Sequence, residues 1–576
     1  MAPERSTRTS EGHPQATRTS RVATAHAGGG RVTGSEEGDH EVEVTLPNGR
    51  QVELHLGRDL RGLATKADQD TRGRSGLSGD PEPAPRPAAA WPTAAALERQ
   101  DSMQHQRVDP TRHVRSPRPR RMLVLGLGAA AALSLTGCQP DRGSGTAASN
   151  SPTSTAPSAR LTPTPCGTYS GRGCASARER VDLVRPRFSN PTKVTNPLFP
   201  ISQLHSAVLL GHVDGKPFRS ETTLLPNTER IAWDGQEVET LVSQYVAYLD
   251  GRLEEVARDR YAQADDGSVW YFGEDVMDYR NGAVALTEGT WLAGREGSAA
   301  MIMPAQPKVG DVFRLEDVTG VVFEEVKVKA VDQTVQAARG PVGHAILAEE
   351  LHADQTYDHK IYAPGHGEFR TTSGGDLEAL ALAVPADALP GPPPAELRSL
   401  STYAVGILEL ARLPEWEAAS ATLERMGPAW DTLRTATRPP PMIAVRLGDA
   451  LHALTDAVKA RRAAATSQAA VDVAQSVLDL ALAYRPPAEI DARRFGLWSQ
   501  QLRVDAAAKD LAGVTGDVAV LEWIRDRFAP TLDPVNQADL DTRLRGLRTA
   551  ADAKNLATAA DHAARLEARL RDLGAI

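Results

Sequence analysis

The spacing of apolar and polar positions changes character along the chain. Between 181 and 385 they alternate with period two in short runs. Examples are ETTLL at 221–225, GQEVETLVSQYVAYLDG at 235–251, GSVWYFGE at 267–274, EEVKVKAV at 324–331 and HAILAEELH at 344–352. Alternation sends successive side chains to opposite faces, so each run predicts a half-buried strand. Asp250-Gly251, Asp265-Asp266-Gly267 and Asn281-Gly282 fall at the hairpin turns, where such residues accept positive φ. The pattern predicts an antiparallel meander over 181–385, forming a curved sheet, half-barrel or barrel.

After the proline-rich linker 386–397 the period lengthens to that of a helix. Ile443, Leu447, Leu451, Leu454 and Val458 form one apolar stripe, and Val473, Val477, Leu480 and Tyr484 form another. Pro486-Pro487 breaks the pattern, and Gly513 and Gly516 read as a further break. Six to eight helices in an all-α bundle are expected over 398–576. Trp416, Trp430, Trp498 and Trp523 sit on Ala/Leu-rich helices, where bulky side chains fill the space between small ones.

The first 102 residues are rich in Arg, Ser, Thr, Gly and Pro and read as disordered. The island 28–63 differs. Val42, Val44 and Leu46 alternate with polar residues, Asn48-Gly49 supplies a turn, and Val52, Leu54 and Leu56 alternate again, which predicts a β-hairpin. The island resembles the strand half of a PepSY module, but the helical half of that family is poorly matched by TRTSRVATAHA. A half module lacks a closed core. Residues 1–102 are therefore expected to belong to a neighbouring frame or fused gene, with Met103 as the natural start.

Arg118-Pro119-Arg120-Arg121 precedes the apolar run Met122–Gly137, whose only polar side chains are Ser134 and Thr136. This run falls short of the roughly 20 residues needed to span a bilayer. A core helix would carry polar residues at helical spacing, and a retained type II anchor is the other alternative. A basic region, a short apolar region and small residues before a cut site read as a secretory signal peptide over 103–137. Leu135-Thr136-Gly137-Cys138 resembles the bacterial lipobox. The resemblance implies that Cys138 becomes the acylated N-terminus, carrying palmitate or a similar chain. It also implies a protein held by lipid on the extracytoplasmic face of the cell membrane. Residues 138–180 read as a flexible tether.

The net charge of −9 and the absence of a basic stripe argue against nucleic acid as a partner. Of three cysteines, Cys166 and Cys174 lie close together in PCGTYSGRGC. In an exported chain such a pair predicts a disulfide around a small loop, with a redox or metal role as the alternative.

The strand region carries an ordered set of motifs: YAQADDGSVWYFGED from Tyr261, EGTW from Glu288, Met303-Pro304-Ala305, KVGD from Lys308 and YAPGHG from Tyr362. This set resembles a family of uncharacterised bacterial secreted proteins and lipoproteins. The resemblance implies a β-rich extracytoplasmic domain and no particular substrate. On a regular strand Val269, Tyr271 and Gly273 face one way, and Trp270, Phe272 and Glu274 the other. Core packing and a stacking platform for a sugar-like or apolar molecule are both open, and Trp270, Phe272, Glu274, Asp275 and Trp291 are the candidate ligand contacts.

Asp265, Asp266, Glu274, Asp275 and Asp278 lack the ligand spacing of a calcium loop. His344, His352, His359 and His366 match no zinc motif. Nucleophile-elbow, Walker and dinucleotide patterns are absent from suitable contexts, and His452 and His562 make poor haem ligands. No catalytic, cofactor-binding or metal residue is assigned. The leading expectation is a membrane-anchored lipoprotein that binds a ligand or protein partner at the cell envelope. An envelope enzyme using the Asp/Glu cluster near Trp270, or a metal- or stress-sensing helical module, are the alternatives.

Overall fold

The computed structural model describes residues 31–35, 41–45, 51–56, 62–66 and 174–574. The chain divides into two compact units, Met1–Arg112 and His113–Ile576. In the first, β1 (Arg31–Ser35), β2 (Glu41–Thr45), β3 (Gln51–Leu56) and β4 (Gly62–Lys66) form an antiparallel sheet in chain order. Val44 pairs with Val52 in β2–β3, the register of the hairpin read from the sequence. The signal segment, the lipobox with Cys138, and Cys166 lie outside the described residues.

The second unit is built on a 14-stranded antiparallel sheet followed by eight helices among the described residues. The strands are β5 (Ser206–Val213), β6 (Lys216–Trp233), β7 (Gln236–Leu249), β8 (Arg252–Gln263), β9 (Val269–Arg280), β10 (Ala283–Leu286), β11 (Trp291–Leu292), β12 (Ala300–Met303), β13 (Val312–Val318), β14 (Val322–Ala337), β15 (Gly340–His352), β16 (Tyr357–Ala363), β17 (Gly367–Ser373) and β18 (Asp376–Val384). Two meanders, β5 to β10 and β13 to β18, join where β18 pairs with β5. Asp250-Gly251 and Asn281-Gly282 both have positive φ, as tight right-twisted hairpin turns require.

The sheet is open and half-barrel-like. Its outlying strands β9 and β13 are not paired with each other, yet the Nε1–H of Trp291, on β11 beside β9, donates to Glu316 Oε1 on β13 at 2.7 Å. The inner face at one end is apolar, with Leu241, Tyr261, Tyr271, Phe313, Val326 and Ile346 in one buried cluster. The segment before β5 covers that end, with Phe199 edge-on to Tyr261 at 4.9 Å between ring centres.

The helices are α1 (Ala395–Arg412), α2 (Trp416–Thr437), α3 (Pro441–Lys459), α4 (Ala463–Ala481), α5 (Pro487–Ala508), α6 (Leu511–Phe528), α7 (Pro534–Asp552) and α8 (Leu556–Asp572). They pack against the other face of the sheet in two sets. Val208, Leu210 and Leu382 meet Leu400, Leu447 and Val473, while Val246 and Val256 meet Phe495, Val518 and Leu521. Each such side chain, once fully buried, contributes roughly 1.5–3 kcal/mol. Gly513 and Gly516 do not end a helix, contrary to the sequence reading. They lie inside α6, where Gly516 lets the β9–β10 turn approach: a Cβ on Gly282 would lie 2.1 Å from Ala512 O. No helix among the described residues is long and apolar enough to cross a membrane.

A buried set of charges joins sheet to helices. Glu221 on β6 forms ion pairs with Arg219 at 2.5 Å and with Arg494 of α5 at 3.2 Å, and accepts a hydrogen bond from Arg527 of α6. Asp479 of α4 binds Arg219 at 2.7 Å and Arg494 at 2.9 Å, and Asp491 binds Arg494 at 3.2 Å. Three guanidinium groups and three carboxylates balance, which is the condition for tolerating charge in a dry interior.

Candidate functional site

The inner face of the sheet away from its apolar end is lined with ionisable groups, and strand register explains why. Residues paired across adjacent strands share a face. Glu316 pairs with Glu324 and Glu324 with His352, running across β13, β14 and β15. Glu350 pairs with Asp358, and Lys360 with Thr371, which is followed by Glu378. From the other side Glu255 pairs with Asp278, and Asp259 with Glu274. On half-barrel strands these alternating acids point inward and not to solvent.

Burial raises most of these carboxyls. Glu350 and Glu378 are pushed up to about 7, and Asp259 to about 6 even though the hydroxyls of Tyr271 (2.8 Å) and Ser243 (3.1 Å) donate to it. Glu274 and Glu316 rise well above the carboxylate range, first through burial and then through neighbouring acids.

His352 behaves oppositely. Burial disfavours its charge, but hydrogen bonds to Asp358 and Glu324 outweigh this and keep it protonated up to about 11. Its Nε2 lies 3.2 Å from Asp358 Oδ2, and its Nδ1 lies 3.2 Å from Glu324 Oε1. Glu324, Glu350 and His352 offer ligand atoms within 4.8 Å of one another. The Lys360 ammonium stands 3.1 Å from Glu350 Oε1, so lysine and imidazolium already supply the positive charge a metal would bring.

The sequence candidates fall in three places. Trp270 and Phe272 are buried. The Trp270 indole donates to Ser268 Oγ at 2.9 Å, while Phe272 packs edge-on against Phe188 and Trp233. Asp275 lies on the outer face with them, opposite Glu274, and binds Arg260. Glu274 and Trp291 come together around Glu316, on the inner face beside Tyr271.

That last meeting depends on a bulge the alternation rule missed. Asp259 pairs with Glu274 but Tyr261 pairs with Tyr271, so β9 carries one extra residue and Glu274 turns to the Tyr271 side. Gly273 occupies the bulge at φ +110°, and a Cβ there would lie 2.2 Å from Trp291 O. An isolated glycine within a strand pattern was the available signal.

Sequence reasoning did not find the open part of the site. A cleft of about 580 Å³ opens at the hairpin end of β6–β8, lined from both faces of the sheet. Phe218, Tyr245, Ala247 and Glu255 line it from the inner face, while Leu253, Tyr279 and Asp517 line it from the helix-covered side. Arg252 at its edge is held by Asp505 and, at 2.8 Å, by Asp510. Of the carboxyls in the inner band, Glu255 is the one that lines the cleft.

No protein-family model matches the chain, and no curated protein is significantly similar to it.

Proposed function

We propose that this chain is an exported lipoprotein, anchored through Cys138 to the extracytoplasmic face of the cell membrane, whose half-barrel binds a ligand in the cleft at the β6–β8 hairpin end of the sheet. The cleft carries this reading. Its volume of about 580 Å³ falls within the roughly 300–1,000 Å³ of small-molecule sites, and it combines apolar walls with a few polar groups. Export rests on the basic, apolar and small-residue succession ending at Leu135-Thr136-Gly137-Cys138 and on the Ser/Thr/Pro-rich stretch that follows. The likeness of the WYFGED, EGTW and KVGD motifs to secreted bacterial proteins points to the same compartment.

In this reading Cys166 and Cys174 form a disulfide that fastens the end of the tether, since Cys174 packs against Phe323 and Leu351 on the sheet. A small ligand is favoured over a protein partner because the cleft is concave. The envelope-enzyme alternative is less favoured because the acids nearest Trp270 do not line the cleft.

Two measurements test the proposal. Labelled palmitate should enter the wild-type protein and not Cys138→Ser; equal labelling would remove the anchor. In a thermal-shift screen of small molecules, hits on the full chain should disappear in Ala247→Trp, which fills the cleft. Hits that persist unchanged would place binding elsewhere.

A further inference from the structure

We propose that His366 and Asp387 form a pH-operated latch. The imidazolium fastens the β16–β17 turn to the segment leading from sheet to helices, and loss of its proton frees that turn together with the strap (194–205) that packs on it. The latch stands apart from the binding cleft, whose lining includes neither residue.

Two buried atoms face each other. His366 is 7% exposed and Asp387 1%. Nε2 of the ring lies 3.6 Å from Oδ1 of the carboxylate, and neither atom has another hydrogen-bond partner. The remaining polar atoms of both side chains are committed. Asp387 Oδ2 accepts from the Ala383 amide at 2.9 Å. His366 Nδ1 lies 3.0 Å from the Pro364 carbonyl oxygen, which can only accept, so Nδ1 carries a hydrogen. In a neutral ring that tautomer turns the bare lone pair of Nε2 toward a carboxylate oxygen. A second proton converts this repulsion into an ion pair, so the geometry calls for the imidazolium.

Three segments meet at the pair. The turn carries His366, and its Gly365 amide donates to Pro197 O of the strap at 2.8 Å. A Cβ on Gly367 would lie 3.7 Å from Pro200 and Leu204, so the strap rests against the turn there. The same strap sets Phe199 on Tyr261 over the apolar end of the inner face. Asp387 belongs to the third segment, whose Leu389 amide donates to Ala483 O just beyond α4 at 2.7 Å.

The surroundings isolate the switch. Burial disfavours the ring's charge, but Asp387 and the Pro364 carbonyl outweigh it and raise the imidazole above its ordinary 6.5. On β17, Phe369 stands edge-on to the ring at 6.1 Å, and Glu368 is taken up by Thr371 and, at 3.7 Å, by Lys360. Arg339 Nε is turned to the Asp387 carbonyl at 3.2 Å, and His205 at the end of the strap is exposed. The latch is therefore complete below pH 6.5 and is lost as pH rises through the higher value in the fold.

Hydrogen exchange of the full chain, read by mass spectrometry at about pH 5.5 and about pH 8.5 and corrected for intrinsic rates, tests the latch. Peptides spanning 195–205, 362–369 and 384–390 should lose protection by about tenfold or more at the higher pH, as expected when a buried ion pair is broken, while those of β6 and β7 change less. His366→Gln, which does not titrate, should abolish the difference between the two pH values. Asp387→Asn, which leaves the ring with nothing to keep it charged, should do the same. Equal protection of the three segments at both pH values in the wild type, or a pH step that persists in His366→Gln, would overturn the proposal. The wild-type comparison decides even where a variant fails to fold.

Discussion

Replacing Glu221 with glutamine keeps the shape of the side chain and removes one negative charge from the buried set joining β6 to α4, α5 and α6. Arg219, Arg494 and Arg527 would then face only Asp479 and Asp491, leaving one positive charge in excess where side-chain exposure is 6% or less. Breaking a buried ion set by deleting one partner costs about 3–5 kcal/mol, because the remaining charge stays buried and uncompensated. Against a total of roughly 5–15 kcal/mol for a folded domain, that is a large fraction. Urea denaturation of the full chain, followed by tryptophan fluorescence, should show a midpoint shift of this size with an unchanged slope. Asp234→Asn serves as control, since its 2.6 Å pair with Arg185 is exposed on both sides and should contribute little. A loss below about 1 kcal/mol for Glu221→Gln would refute the claim that these charges clamp helices to sheet. The acid side gives a second sign: the arginines hold Glu221 well below the carboxylate range despite its burial, so its contribution is complete above pH 4.5 and fades only in strong acid.

The raised inner carboxyls act the other way. With Glu350 and Glu378 near 7 in the fold against an ordinary 4.5, the native state holds extra protons between those values, and stability should fall as pH rises from about 5 to 8. Glu378→Gln should flatten that fall in denaturation curves at the two pH values; an unchanged slope would contradict it. His352, protonated up to about 11, contributes stability that is complete below 6.5 and lost progressively as pH rises toward 11, and His352→Gln should remove that alkaline component from a pH series of melting curves. Gly273→Ala should destabilise by about 1–3 kcal/mol through positive φ and the clash with Trp291 O, read by urea midpoint, and a neutral result would deny the bulge.

The order of elements was legible in the chain because each period survives in the structure. The 181–385 alternation became strands, the Asp-Gly and Asn-Gly pairs became their turns, and the Ala/Leu stripes after 395 became helices. The site was less legible, for a geometric reason. In EEVKVKAV and HAILAEELH the acids come as adjacent pairs, Glu324-Glu325 and Glu349-Glu350, one on each face of the strand; a sheet curved into a half-barrel turns Glu324 and Glu350 inward. No local pattern tells the two faces apart. Nor does any pattern in α5 or α6 mark Arg494 and Arg527 as buried, because their partner Glu221 is distant in sequence. Gly513 and Gly516 read as breaks because the close approaches their lack of a side chain permits, of Arg252 and Asp505 to Gly513 and of the β9–β10 turn to Gly516, are tertiary.

The most direct test of the central claim is a crystal structure of the full chain soaked with a hit from the small-molecule screen. Density for that molecule is expected in the cleft at the β6–β8 hairpin end of the sheet, against Tyr245, Ala247 and Glu255. An empty cleft in crystals where the molecule is seen bound at another site would contradict the proposed binding role.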